Sequence, residues 1–266
     1  CNGEIYNSKE LYIIHNFKKS KTGSDCEIII HLYNKYGIDK TLELLDGVFA
    51  FVLVDLSYNT VFVSRDRVGV RPLYECVNSD SYCFSSNMIS LTTLNNIDQK
   101  SSNYCVQHFE PGTYKQFTLV GNAWKLIKSA KYFSIDNTLL VKHSVGYDIN
   151  FIKHMIKYSL INAVKKRVNN TERPIACLLS GGLDSSLICS LVSSCSNKTI
   201  DTYSIGMKGA EDLKYARIVA DYLGTNHTEI ILTEEEFLNC IPETIYHIES
   251  FDTTTIRASV GNYLIG

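Results

Sequence analysis

The residues best suited to chemistry form one short stretch, Ser-Gly-Gly-Leu-Asp-Ser-Ser at positions 180–186. It lies between two apolar runs, 174–179 and 187–192, and this pattern predicts a strand, a tight glycine loop and a helix. Glycines let the main chain approach a ligand, and unpaired N–H groups at the start of a helix favour an anion such as phosphate. The stretch is neither a Walker A loop nor a nucleophile elbow, because it lacks the lysine of the former and the Gly-x-Ser-x-Gly spacing of the latter.

Three polar residues, Asp184, Ser185 and Ser186, follow the two glycines and indicate how an anion could be held. A carboxylate at a phosphate site usually holds Mg²⁺, whereas hydroxyl groups can donate to phosphate oxygens. The alternative is a plain strand-to-helix turn in which Asp184 caps the helix. The residues by themselves therefore indicate an anion site with a carboxylate beside it.

The whole stretch resembles the pyrophosphate loop, Ser-Gly-Gly-x-Asp-Ser, of the N-type ATP pyrophosphatases. The resemblance implies that ATP is held by its β- and γ-phosphates while a nucleophile attacks the α-phosphorus and pyrophosphate leaves. It also implies Mg²⁺ at Asp184, and contact of the adenosine part with residues at two neighbouring strand ends. The ATP-binding residues implied in this way are Leu179, Ser180, Gly181, Gly182, Asp184, Ser185, Ser186, Ile205 and Gly206.

The N-terminal stretch Cys1-Asn2-Gly3-Glu4-Ile5-Tyr6-Asn7 is a second candidate for chemistry. A free α-amine could serve as the base for the thiol of Cys1, as in N-terminal nucleophile hydrolases, or Cys1 could be an interior residue. Asn-Gly alone is more often a hairpin turn. Asn-Gly-Glu-Ile-Tyr-Asn, however, resembles an internal motif of the class II glutamine amidotransferase domain of asparagine synthetases. The resemblance assigns the oxyanion hole to the side chain of Asn2 and the N–H of Gly3, and places the nucleophilic cysteine upstream of this sequence.

Two further motifs belong to the same resemblance. In Thr-Gly-Ser-Asp-Cys-Glu at 22–27, Ser24 or Asp25 could cap a helix. The resemblance instead implies that Asp25 binds the α-ammonium group of glutamine, in a pocket shared with Asn2, Gly3 and Glu4. The stretch Arg-Asp-Arg-Val-Gly-Val-Arg-Pro-Leu-Tyr at 65–74 resembles the signature Arg-Asp-x-x-Gly-x-x-Pro-Leu-Tyr of that family. Its charges are expected to pair and to shape the glutamine pocket.

Near the end, Asp-Thr-Thr-Thr-Ile-Arg-Ala-Ser at 252–259 combines hydroxyl groups with a guanidinium, which suits a carboxylate or a phosphate. The alternative is a helix cap followed by a surface arginine. The asparagine synthetases carry Thr-Thr-Ile-Arg-Ala-Ser in the synthetase site. Thr254, Thr255 and Arg257 are therefore candidates for binding aspartate or its adenylate, with Arg257 also a candidate catalytic residue.

Composition limits the classes of function. A chain of 266 residues with 45% hydrophobic and 20% charged residues suggests two ordinary globular domains. The net charge of -2 gives no reason to expect nucleic acid as a partner, and no apolar run is long enough to span a membrane. No signal peptide is visible, and nine scattered cysteines without a Cys-x-x-Cys pair indicate reduced, mostly buried thiols in a cytoplasmic protein.

The order of elements predicts the architecture. The apolar run 47–55 suits a strand buried on both faces, with further strands at 61–64 and 82–85. Periodicity is lost around 134–147, where we place a linker, and a helical stripe runs over 149–168. Beyond the glycine loop, strands at 199–206 and 228–232 alternate with helices at 211–223 and 234–246, which predicts a parallel sheet with ligands at the carboxyl ends of its strands.

These motifs occur in the order found in glutamine-dependent asparagine synthetases, and the resemblance covers nearly the whole chain. It implies an incomplete, N-terminal nucleophile-hydrolase-like αββα sandwich at 1–140 and a parallel-sheet, adenine-nucleotide α-hydrolase-like domain at 141–266. It implies ATP-dependent synthesis of asparagine from aspartate and glutamine through β-aspartyl-AMP, with Mg²⁺, and it allows for a homodimer. The alternatives are a β-lactam synthetase-like protein, another ligase such as a GMP or NAD synthetase, and a non-catalytic nucleotide-binding relative.

Overall fold

The computed structural model describes residues 1–18, 20–77, 81–97, 105–134, 148–171 and 173–266, without the side chains of 94–97. The chain divides into two compact units, Cys1–His143 and Ser144–Gly266. The predicted boundary between 140 and 141 lies outside the described residues, as does the predicted linker around 134–147 apart from Ser134.

The described part of the first unit contains eight strands and four helical segments. The strands are β1 Asn2–Ile5, β2 Gly47–Asp55, β3 Thr60–Arg65, β4 Tyr74–Val77, β5 Tyr82–Ser85, β6 Cys105–His108, β7 Thr113–Val120 and β8 Ala123–Lys131. The helices are α1 Ser8–Ile14, a 3₁₀ turn Asp25–Glu27, α2 Ile28–Leu44 and α3 Met88–Ile97. The strands form two antiparallel sheets, of order β1-β2-β3-β7-β8 and β5-β4-β6.

Two apolar clusters define the layers of this unit. One joins α1 and α2 to the five-stranded sheet and includes the fully buried residues Ile5, Leu32 and Phe49. The other includes Val63 and Phe117 of the five-stranded sheet, with Tyr82 and Phe84 of the smaller sheet packed against it. Helix α3 contacts the three strands of the smaller sheet. The order helix, sheet, sheet, helix confirms the predicted sandwich.

Strand β2 has the predicted bounds but not the predicted burial. Phe49, Ala50 and Phe51 are buried, whereas Val52 is 47% exposed and Val54 is 56% exposed. The expectation that both faces are covered along the whole strand was wrong, because a continuous apolar run does not show where its covering layer ends.

The described part of the second unit alternates helices and strands. They are α4 Ile149–Asn170, β9 Ala176–Leu178, α5 Leu183–Cys195, β10 Asp201–Met207, α6 Glu211–Leu223, β11 Asn226–Leu232, α7 Glu234–Asn239, α8 Ile241–Ile248 and α9 Thr253–Ile265. The strands pair in the order β11-β10-β9, and both pairings are parallel. The expected parallel sheet is therefore confirmed.

Two helices of this unit differ from their predictions. The expected single helix over 234–246 is divided at Cys240, because Pro242 lies in the first turn of α8 and cannot donate the hydrogen bond that a continuing helix needs. Helix α4 forms as predicted, but the first part of its apolar stripe is exposed, with Ile156 at 63% and Val164 at only 7%.

All nine cysteines are free thiols, as expected, but only Cys76 and Cys189 are buried. The expectation of mostly buried thiols was wrong. Among the described residues, no helix is both long enough and apolar enough to cross a membrane.

Candidate functional sites

The motif Asn2-Gly3-Glu4-Ile5 forms β1, which in the described part of the chain is an edge strand of the five-stranded sheet. Gly3 lies opposite Phe49 on β2, and a Cβ at Gly3 would lie 2.3 Å from the carbonyl oxygen of Val48. A glycine is therefore needed here for the two strands to approach one another. The alternative of an Asn-Gly hairpin turn is excluded.

Asp25 lies against the free edge of β1. Its carboxylate accepts a hydrogen bond from the N–H of Ile5, so that N–H is directed away from β2. Alternate residues of an antiparallel strand direct their N–H groups to the same edge, and the N–H of Gly3 therefore faces the same edge as that of Ile5. The thiol of Cys26, next to Asp25, lies 3.7 Å from the carbonyl oxygen of Gly3 and supports this orientation. The structure thus brings together Gly3 and Asp25, which the sequence placed in one pocket.

Asn2 and Glu4 complete the predicted set on this strand. The amide nitrogen of Asn2, an exposed residue, lies 3.4 Å from the hydroxyl of Ser86, at the long end of hydrogen-bond distances. Asn2 also lines a cleft of about 370 Å³ together with Cys1 and residues of β2 and β5. Glu4 is half-buried.

Within the second unit, the glycine loop joins β9 to α5 as predicted. The hydroxyl oxygens of Ser180 and Ser185 lie 2.9 Å apart, and that of Ser185 also donates to the carbonyl of Gly182 at 3.2 Å. Gly182 is the N-cap of α5, and among the described residues no side chain caps the helix there. The first N–H groups of α5 are therefore not occupied by a capping side chain and point out of the helix end, as an anion site requires.

The two glycines of this loop serve different purposes. Gly181 has a φ of +76°, and a Cβ there would lie 2.5 Å from the main-chain nitrogen of Ala216 on α6. A Cβ at Gly182 would meet only the hydroxyl of Ser180, at 3.4 Å. Gly181 is therefore required by the packing of α6 under the loop, and only Gly182 leaves open space for a ligand.

The polar residues after the glycines also differ in their exposure to a ligand. Asp184 lies exposed in the first turn of α5 and does not cap it. The hydroxyl of Ser186 is buried and has no hydrogen-bond partner among the described residues. Asp184 is therefore open to a ligand, whereas Ser186 lies in the first turn of α5 with its hydroxyl covered, and its contact with ATP stays a prediction.

Strand β10 runs past the end of β9 alongside the loop. The last pair between the strands is Leu178 with Tyr203, after which the N–H of Leu179 donates to the carbonyl of Tyr203 at 2.8 Å. Ile205 and Gly206 follow on β10, at the carboxyl end of the parallel strands, where Ser180 also lies. The side chain of Leu179 is 1% exposed and packs in the core, so Leu179 can reach a ligand only through its main chain.

Helix α9 carries the third predicted set. Asp252 is its N-cap, and its carboxylate accepts from both the N–H and the hydroxyl of Thr255, at 2.7 and 2.8 Å. These hydrogen bonds lower the pKa of Asp252. Thr255 thus holds the helix cap, whereas Thr254 and Arg257 are exposed. One turn after Arg257, the Cα region of Gly261 lies against Ile205, where an added Cβ would be 3.7 Å from the side chain. Helix α9 therefore packs on the strand end that also carries the predicted nucleotide contacts.

Comparison with known proteins matches each of the two units to a family. Residues 1–141 match the family model described as "Glutamine amidotransferase domain", which covers more than half of the chain. The chain belongs to the glutamine amidotransferase domain family. Residues 155–266 match the model described as "Asparagine synthase". The resemblance inferred from the motifs is confirmed.

Several curated relatives are glutamine-hydrolysing asparagine synthetases. The Mus musculus protein is 40% identical over 99% of this chain, the Homo sapiens protein 39% and the Gallus gallus protein 36%. The chain spans about half the length of these relatives, 49% in each case. Among solved structures, the glutamine phosphoribosylpyrophosphate amidotransferase from B. subtilis has a TM-score of 0.42 and 14% identity, covering 88% of this chain and 70% of that one. That likeness is too weak to carry an argument.

Within the amidotransferase unit, the charges of the Arg65-Asp66 signature do not pair as expected. The guanidinium of Arg65 donates to the carbonyls of Gly69, Arg71 and Phe109. The carboxylate of Asp66 accepts from four main-chain N–H groups, those of Phe49, Val68, Val70 and Arg71. Main-chain groups therefore satisfy both charges, and these hydrogen bonds hold the loop that follows β3. Both side chains are buried, and a buried charge needs such partners because water cannot solvate it.

The sequence analysis gave no role to Glu27. In the structure its carboxylate accepts hydrogen bonds from Ser20, Lys21 and Thr22. Ser24 and Glu27 have the spacing of a capping box, which was a visible signal. Ser24 does cap the 3₁₀ turn, but the carboxylate of Glu27 reaches beyond it to Lys21 and Thr22.

Proposed function

We propose that this chain is part of a glutamine-dependent asparagine synthetase. Its first unit would hydrolyse glutamine to glutamate and ammonia, and its second would use ATP to convert aspartate, through β-aspartyl-AMP, into asparagine, AMP and pyrophosphate. The observation that carries this proposal is the succession of the two family matches along one chain, at 1–141 and 155–266. The names of the curated relatives support the same activity.

The edge of β1 supports the glutaminase half. The carboxylate of Asp25 would bind the α-ammonium group of glutamine, while the N–H of Gly3 and the amide of Asn2 would stabilise the oxyanion that forms on the attacked carbonyl. We propose that Cys1 is not the nucleophile. Cys1 immediately precedes β1, and successive side chains of an extended chain point to opposite sides, so the side chains of Cys1 and Asn2 would not meet at one carbonyl carbon although both residues line one cleft.

The end of α5 supports the ATP half. Its N–H groups, with the hydroxyls of Ser180 and Ser185, would hold phosphate oxygens, and the main chain at Leu179, Ile205 and Gly206 would border the adenosine. The described residues contain no group of three or more side chains able to hold a metal ion by themselves. A single exposed carboxylate fits Mg²⁺, which is usually bound by one or two carboxylates together with substrate phosphates. Asp184 would hold the ion, which when bound neutralises phosphate charge.

Helix α9 supports the binding of the second substrate. The exposed Arg257 can form two parallel hydrogen bonds with a carboxylate, and Thr254 can add a hydroxyl. Thr255 would act indirectly, because its side chain and N–H are held by Asp252. The nine free thiols suit a reducing compartment, and we extend the proposal to the cytoplasm. A homodimer follows only from the resemblance.

The products formed by the full-length protein test this proposal. With glutamine, aspartate and ATP we expect glutamate, asparagine, AMP and pyrophosphate, and the formation of AMP should require aspartate. ADP with inorganic phosphate would contradict the adenylate chemistry. Formation of AMP without release of glutamate would favour the β-lactam synthetase-like alternative, and no nucleotide turnover would favour the non-catalytic one.

A further inference from the structure

Glu27 is the centre of a hydrogen-bonded network that includes the segment before Asp25. Its carboxylate accepts from the hydroxyl of Ser20 at 2.7 Å, the N–H of Lys21 at 3.0 Å, and the N–H and hydroxyl of Thr22 at 2.8 and 2.7 Å. The hydrogen bonds from Lys21 and Thr22 hold the pKa of Glu27 well below its usual range. The carboxylate is therefore anionic at neutral pH and satisfied by donors from one short loop.

The same loop is tied internally and ends at Asp25. The N–H of Gly23 donates to the hydroxyl of Ser20 at 2.9 Å, and the N–H of Ser24 donates to the hydroxyl of Thr22 at 3.2 Å. Both of these hydroxyls also donate to Glu27. The segment 20–24 is therefore held together by its own hydrogen bonds up to Asp25. It is also bound by the carboxylate of Glu27, the last residue of the 3₁₀ turn.

Aromatic contacts hold the other side of this network. The ring of His31, one helical turn after Glu27, has its Nε2 atom 3.3 Å from the carboxylate. Phe17 stacks on His31 at 5.4 Å, and Tyr12 meets the edge of His31 at 5.5 Å. Because Phe17 lies just before the loop, Glu27 is held between the start of the loop and the helix that follows it.

We infer that Glu27 is a positioning residue for glutamine, acting through Asp25: its carboxylate gathers the segment 20–24 and thereby sets Asp25 against the free edge of β1. The inference rests on the proposed glutaminase function of this unit. Glu27 does not touch the substrate. Its effect is the placement of the Asp25 carboxylate, one oxygen of which is already bound to the N–H of Ile5.

The test compares Glu27→Gln with the wild type in the full-length enzyme. The amide of this variant keeps one acceptor oxygen but puts an NH₂ group where Oε1 of Glu27 meets the N–H of Lys21 and Nε2 of His31, and it removes the negative charge that all the donors share. We expect the KM for glutamine to rise about tenfold while kcat changes less than about twofold, because misplacing a binding group weakens positioning without removing it. Asparagine formation from ammonium chloride should be unaffected, since free ammonia bypasses the first unit. The matched control is Glu43→Gln on α2, whose carboxylate is exposed and pairs only with Lys40 among the described residues.

Two further variants separate positioning from general damage. Thr22→Val leaves the carboxylate intact and removes one of its donors, so it should raise the KM for glutamine in the same direction by a smaller factor. In an Asp25→Asn background, Glu27→Gln should have almost no additional effect, because residues that act through one another are not additive. A full effect of Glu27→Gln in that background, or an unchanged KM in the single variant, would overturn the inference.

Hydrogen exchange of the peptide covering 20–24 tests, independently of turnover, whether Glu27 holds this segment in place. We expect faster amide exchange in Glu27→Gln than in Glu43→Gln. Equal exchange in the two variants would overturn the inference even if the enzyme hydrolyses glutamine. A wild-type enzyme that does not hydrolyse glutamine would instead overturn the proposed function, and the exchange measurement would still report whether Glu27 holds the loop.

Discussion

The main-chain N–H of Ile5 donates to the carboxylate of Asp25, twenty residues further along the chain, at 2.5 Å. This single hydrogen bond joins the strand that carries Gly3 to the turn that carries the proposed ammonium-binding group. It also fixes which edge of β1 the N–H of Gly3 faces. The proposed donor for the oxyanion and the proposed acceptor for the ammonium group therefore belong to one surface.

Replacing Asp25 by asparagine should weaken glutamine use selectively. The amide oxygen of Asn can still accept from Ile5, so the local fold is retained, but the charge that attracts an ammonium group is lost. A hydrogen bond between charged groups is worth about 1.5–3 kcal/mol, so kcat/KM for glutamine should fall about tenfold to a hundredfold. Steady-state kinetics with glutamine and then with ammonium chloride checks this. An equal loss with both nitrogen sources would contradict the assignment.

The two glycines of the phosphate loop should differ sharply in their tolerance of alanine. Gly181→Ala combines a φ of +76° with a Cβ only 2.5 Å from the nitrogen of Ala216. It should lower the free energy of unfolding by about 2–4 kcal/mol, as expected for a strained main chain with overpacking. Gly182→Ala, its matched control, should cost within about 1 kcal/mol, because the site is open and φ is negative. Denaturant unfolding of both variants checks the contrast, and equal costs would exclude the packing role of Gly181.

This contrast shows the limit of sequence reasoning in the loop. Its strand, glycines and helix could be predicted from local pattern, as could α6, whose bounds agree with the prediction. The need for Gly181 could not, because it comes from Ala216, which is distant in sequence and meets the loop only after folding. The charges of Arg65 and Asp66 were misjudged for a similar reason. Their partners are main-chain groups, which leave no mark in the order of side chains.

Asp184→Asn in the full-length protein should abolish release of pyrophosphate while glutamine hydrolysis continues. The exposed carboxylate is the proposed holder of Mg²⁺, and asparagine keeps its size but not its charge. Separate assays of pyrophosphate and glutamate check this. Unchanged pyrophosphate formation would remove Asp184 from the proposed site.

The stability of the second unit should fall as the medium becomes mildly acidic. Burial, with the nearby charge of Arg217, lowers the pKa of His227, whose ring contacts the hydroxyls of Thr202 and Ser204. Because the folded pKa lies below the unfolded value of about 6.5, the stabilisation is present above that pH and is lost as the pH falls through the folded pKa. Thermal unfolding between pH 8 and 5 should show the decline, and His227→Gln should flatten it. The exposed His154, changed to Gln, is the control, and an equal slope in all three proteins would contradict the prediction.

The fate of the amide nitrogen of glutamine tests the central claim most directly. The full-length protein is incubated with glutamine labelled with ¹⁵N in its amide group, together with aspartate, ATP and Mg²⁺, and the products are analysed by mass spectrometry. The proposed function predicts ¹⁵N in the side-chain amide of asparagine, with glutamate and AMP formed alongside and no labelled asparagine when ATP is omitted. Asparagine without the label, or glutamate formed with no asparagine at all, would contradict it.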